Sequence, residues 1–203
     1  MTIDLDEAKI ERNEFGLWLG WTLATTGGML IGFLLTIPLV NLLDLGFARI
    51  IVPIVVGILI GLSQWMVLRR YLTTSADWVL AGGTAWAVGY ALGLLLIQNL
   101  SGTFLAGISA YIIFGAIVAL VQWPMLRREI PSLLTWLVVN ILGWAAGLWA
   151  SQAAIELLFN EPAIEPVLST AVIAASSGLV AGGITGVALI LIARQPERAV
   201  RVA

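Results

Sequence analysis

The chain has 203 residues, 60% of them hydrophobic and only 11% charged, with a mean hydropathy of +1.01. A water-soluble domain carries about a quarter charged residues, so an ordinary soluble globule is excluded, and a net charge of −2 excludes the clustered basic surface that nucleic acid requires. With no cysteine and no histidine, disulfides, thiolate or imidazole metal sites, cysteine nucleophiles and the commonest general base are all removed.

The first fourteen residues hold Asp4, Asp6, Glu7, Lys9, Glu11, Arg12 and Glu14. They are too acidic for the leading region of a secretory signal, and no small-residue cleavage site follows. A polar tail over residues 1–14 in front of a retained first helix is therefore expected. Six apolar stretches follow, each near the roughly 20 residues that a helix needs to cross hydrocarbon. They run from Phe15 to Ile37, Ala48 to Leu68, Asp77 to Ile97, Phe104 to Leu126, Leu133 to Leu158 and Val167 to Ala193. Together they predict an all-α membrane domain over residues 15–193, with a second polar tail over 194–203. No length is left for a soluble domain.

Orientation follows from Lys and Arg, because acidic residues contribute little to the bias. Six crossings place Lys9, Arg12, Arg69, Arg70, Arg127, Arg128, Arg194, Arg198 and Arg201 on one side and Arg49 alone on the other. Both termini are accordingly expected in the cytoplasm.

The chain also repeats itself. Gln64-Trp65-Met66-Val67-Leu68-Arg69-Arg70 recurs 58 residues later as Gln122-Trp123-Pro124-Met125-Leu126-Arg127-Arg128. The same shift carries Trp78 onto Trp136, Trp86 onto Trp144, Gly89 onto Gly147 and Gly57 onto Gly115. Gly182 and Gly186 precede Arg194 by the spacing with which Gly57 and Gly61 precede Arg69. Three tandem helical hairpins, about 15–68, 77–126 and 133–193, arranged with pseudo-threefold symmetry, are the predicted architecture. Small residues four apart line one face of every span. Gly28, Gly32, Gly57, Gly61, Gly89, Gly93, Gly115, Gly147, Gly182 and Gly186 are the expected helix-packing positions, where backbones approach closely enough for van der Waals contact to hold a bundle in lipid.

Few polar groups lie at depth. Asp77 and Glu156 fall near span ends, and Glu129 falls in a loop. No carboxylate marks a proton or sodium path at the bilayer centre, and no nucleophile–base pair or phosphate-cradling loop is present. Gln64 and Gln122 stand about 7.5 Å from their arginine pairs along the helix. One reading bonds these amides to neighbouring helices, with Trp65 and Trp123 in the aromatic belt. The sharper reading makes Gln64, Trp65, Arg69, Arg70, Gln122, Trp123, Arg127 and Arg128, with Asn140 deeper in the fifth span, a lipid- or solute-binding set in which arginine meets phosphate. Thr25, Thr26, Ser176 and Ser177 are the remaining polar groups expected at some depth.

The paired Gln-Trp-x-x-Leu-Arg-Arg segments, the Trp-bearing helix after each and the closing Gly183-Ile184-Thr185-Gly186-Val187-Ala188-Leu189 resemble a group of uncharacterised bacterial multi-pass membrane proteins familiar from cyanobacteria and filamentous green bacteria. The resemblance spans about Phe15 to Arg194. It implies the architecture and a bacterial plasma or thylakoid membrane, and it brings no activity. In size and span count alone the chain is also similar to the substrate-binding subunits of energy-coupling-factor vitamin transporters. The expectation is a non-catalytic protein with no cofactor, whose partners are membrane lipids, another membrane protein or a second copy of itself. The alternative is a small-solute binding or transport module with a pocket at the hairpin interface. A pigment or quinone stacked on Trp86 and Trp144 is a third, weaker reading.

Overall fold

A computed structural model describes residues 14–72, 75–99, 104–127, 132–159 and 165–193. The polar tails, Arg128 of the candidate set and Glu129 lie outside them. Among the described residues the only regular secondary structure is α-helix. The helices are α1 (Glu14–Leu42), α2 (Leu45–Leu68), α3 (Asp77–Asn99), α4 (Phe104–Leu126), α5 (Leu133–Leu158) and α6 (Pro166–Ala193). All six are long and apolar enough to cross a membrane.

Two helix ends depart from the sequence expectation by more than two residues. α1 continues through Pro38 to Leu42 instead of stopping at Ile37. Proline removes one backbone donor. In hydrocarbon, however, a peptide group has no partner outside its own helix, so Leu39–Leu42 stays helical and Leu43 N–H donates to the Leu39 carbonyl at 3.0 Å. α2 begins at Leu45, earlier than Ala48, because the Asp44 carboxylate accepts from the backbone N–H groups of Gly46 (2.8 Å) and Phe47 (3.1 Å). That is an N-cap, which satisfies orphan donors of the first turn.

Each helix packs against its two neighbours in sequence, and α6 closes onto α1. The result is a ring of six helices whose axis is filled by side chains. Trp21, Trp78 and Trp136 are at most 1% exposed and occupy one layer with Leu17, Leu68 and Leu126. Met29, Trp86, Phe114 and Trp144 form the second layer. In it Trp86 meets Phe114 at 4.9 Å and Trp144 at 5.5 Å, and Phe114 meets Trp144 at 5.3 Å, all edge to face. This is the favoured geometry for ring quadrupoles.

The outward faces are as apolar as the interior. Leu19, Leu23, Ile31 and Leu35 of α1 and Leu134, Val138, Leu142 and Trp149 of α5 are exposed. Thr22, Thr25, Gln64, Gln122, Asn140, Ser151, Ser177 and Thr185 are buried. Polar groups inside and leucines outside invert the arrangement that water selects. The arrangement suits acyl chains.

Glycine sets how closely the helices meet. A Cβ on Gly28 would lie 2.7 Å from the Ile60 Cα, and one on Gly115 2.7 Å from the Ile141 Cα. On Gly57 it would overlap the Gly82 carbonyl, and on Gly147 it would sit 2.7 Å from the Ser177 carbonyl oxygen. Gly32, Gly61, Gly182 and Gly186 face neighbouring helices almost as tightly, whereas Gly89 abuts the Phe114 ring. Gly93 differs: a Cβ there would meet Ala110 at an ordinary 3.7 Å.

Candidate functional site

Gln64 lies on the inner face of α2, since a residue two turns beyond Gly57 shares its side of the helix. Its amide nitrogen donates to the Thr25 hydroxyl of α1 at 3.0 Å. Its side-chain oxygen accepts from the Trp78 indole of α3 at 3.3 Å. One buried amide thus ties three consecutive helices together. Gln122 is equally buried, but its amide makes no hydrogen bond among the described residues, and the buried indole N–H of Trp136 on α5 is unpaired. The positions differ because their neighbours differ. The shift that pairs Trp21 with Trp78 and Trp136 places Thr25 with Gly82 and Asn140, so α3 carries no hydroxyl where α1 offers one.

Asn140 is 2% exposed, and its amide donates to the Trp136 carbonyl one turn back on α5 at 2.9 Å. Ser176 and Ser177 likewise bond back to carbonyls of α6, and Thr26 bonds back to the Thr22 carbonyl at 2.8 Å. Such local bonding satisfies hydroxyls where water is excluded.

The structure does not bring the glutamines and arginines into one pocket. Gln64 and Gln122 point to the ring interior, while Arg69, Arg70 and Arg127 are exposed at helix ends. Arg69 stacks over the half-buried Trp65 with its guanidinium carbon 4.9 Å from the ring centre, a cation–π contact at the level of a membrane interface. Trp123 is half-buried on α4, and Pro124 beside it is exposed. Trp86, Trp144 and Phe114 pack edge to face against one another, so protein rings already cover ring faces that a flat ligand would need.

Two groups were not singled out in the sequence. Trp21 donates its indole N–H to the Thr185 hydroxyl at 2.9 Å, and Trp18 donates to the Gly183 carbonyl at 2.9 Å. These bonds close α6 onto α1. The 57-residue shift from Trp21 to Trp78 was the available signal. The second is a cavity of about 370 Å³ at the end of the ring that carries the α1–α2 turn. Phe33 and Thr36 of α1, Arg49, Val52 and Pro53 of α2, and Trp86 of α3 are among its walls. In the sequence Arg49 registers only as the exception to a charge count.

No protein-family model, curated protein or solved structure matches this chain.

Proposed function

We propose that the protein is a non-catalytic, multi-pass integral membrane protein that binds a partner protein or lipid through its apolar helix faces and its exposed arginines. The observation that carries this reading is the filled axis. Trp21, Trp78, Trp136, Trp86, Trp144 and Phe114 occupy the ring from one layer to the next. The polar groups that a solute path would use, Gln64 and Asn140, are already engaged within the bundle. A conduit needs hydrated polar walls; here Gln64 ties three helices together and Asn140 is bonded within its own helix. What is left for recognition is the outside, apolar along the spans and cationic at Arg69, Arg70 and Arg127.

The same proposal takes the chain as three tandem hairpins of one kind, in a bacterial plasma or thylakoid membrane, with both termini in the cytoplasm. Support for the repeat lies in matching contacts. Gly57 faces Gly82, Gly115 faces Asn140 and Gly182 faces Thr25, and the three facing positions are those the repeat aligns. Support for the orientation is the distribution of cations.

Native mass spectrometry of the protein released in patches of its own membrane tests the binding role. A stoichiometric subunit or lipid that stays bound is expected, with lipid retention reduced by replacing Arg69, Arg70 and Arg127 together with glutamine. Bare protein, or solute uptake by reconstituted vesicles, would overturn it.

A further inference from the structure

The cavity beside the α1–α2 turn is unlike the rest of the interior. In the second hairpin Phe114 fills the space between Trp86 and Trp144. The shift of 58 places Val56 at the corresponding position of the first hairpin, and its shorter side chain leaves the space open against Phe33 and Trp86. At about 370 Å³ the cavity is within the range of ligand sites. Its walls are mostly apolar, and the polar side chains among them are Arg49, Thr36 and the Tyr90 phenol.

Arg49 is exposed and forms no ion pair among the described residues. Asp44, the nearest carboxylate in sequence, is engaged in capping α2. Arg49 follows the first residue of α2 by four positions, about 6 Å along the axis. That is the depth at which lipid phosphates meet a spanning helix, and guanidinium is the side chain best shaped to hold phosphate. Pro53, one turn further on, has no N–H and cannot donate to the Arg49 carbonyl. That carbonyl shares a helix face with the Pro53 ring in the cavity wall. The cavity wall therefore pairs an unneutralised cation with a carbonyl whose i+4 donor is missing.

We infer that this cavity binds one anionic phospholipid of the phosphatidylglycerol class. One acyl chain lies along Phe33 and Val52 toward Trp86, the phosphate sits on Arg49, and a headgroup hydroxyl donates to the Arg49 carbonyl. This rests on the lipid-binding reading above but names another site, at the opposite end of the bundle from Arg69 and Arg127.

Native mass spectrometry of the full chain, titrated with phosphatidylglycerol or phosphatidylcholine of identical acyl composition, tests it. The wild type should retain one phosphatidylglycerol at least tenfold more tightly than phosphatidylcholine. Arg49→Gln should erase that preference, and Val52→Trp should remove the one lipid bound in this cavity while leaving any lipid held at Arg69, Arg70 and Arg127; if it does not fold, Ala48→Leu replaces it. Arg69→Gln should change nothing at this site. Equal retention of the two lipids by the wild type, or an undiminished preference in Arg49→Gln, would overturn the inference. Loss on Arg69→Gln with Arg49→Gln silent would leave only the site at the other end of the bundle.

Discussion

The indole N–H of Trp78 and the side-chain oxygen of Gln64 lie 3.3 Å apart in a buried layer, with the other half of the Gln64 amide held by Thr25. The pair 58 residues on, Trp136 and Gln122, shares burial and residue type but not the bond. Identical side chains therefore carry different energies. Leaving a buried donor unsatisfied costs about 1–3 kcal/mol. Gln64→Leu should accordingly destabilise the bundle by about that amount, since it strands Trp78 and Thr25 together. Gln122→Leu should be neutral or stabilising, because it removes an amide that pays for burial without a bond. Thermal unfolding in one detergent compares the two directly.

Closure of the ring between its first and last helices depends on Trp21 and Thr185. In a double-mutant cycle, Trp21→Phe and Thr185→Val should show a coupling of about 0.6 kcal/mol, the usual size of a side-chain bond between membrane helices. A coupling indistinguishable from zero would mean that the indole contributes by packing alone.

The glycines divide by what stands opposite them. Gly115→Leu must force α4 away from the Ile141 backbone, and Gly147→Leu must push α5 from Ser177. Either should splay the bundle and lower its melting temperature sharply. Gly27 and Gly107 have nothing within 4 Å. Alanine at either should stabilise by up to about 1 kcal/mol, the helix-propensity difference. The same thermal measurement separates the classes, and a Gly115→Leu variant as stable as wild type would refute close packing there.

Topology can be read without removing any native thiol, because the chain has no cysteine. Ser75→Cys, between α2 and α3, should react with an impermeant maleimide only from the cytoplasmic side. Glu165→Cys, just before α6, should react only from the other. Labelling of both from one side would contradict six crossings.

Much of the architecture was legible in the residues themselves. In hydrocarbon each spanning segment must satisfy its backbone internally, so span length and apolarity are local properties that Phe104–Leu126 or Leu133–Leu158 declare without reference to the rest of the chain. The close approach at Gly57 and Gly115 was also visible as spacing. What only the tertiary structure decided is which polar groups find one another. Helices apolar all round have no amphipathic stripe to say which face turns inward, so neither the pairing of Gln64 with Trp78 nor its failure at Gln122 could be read from a motif the two share. The closure of α6 onto α1 brings Trp21 within 2.9 Å of a hydroxyl 164 residues away. The cavity at Arg49 is walled by Phe33 of α1, Val52 and Val56 of α2 and Trp86 of α3, residues that only the packing of three helices brings together.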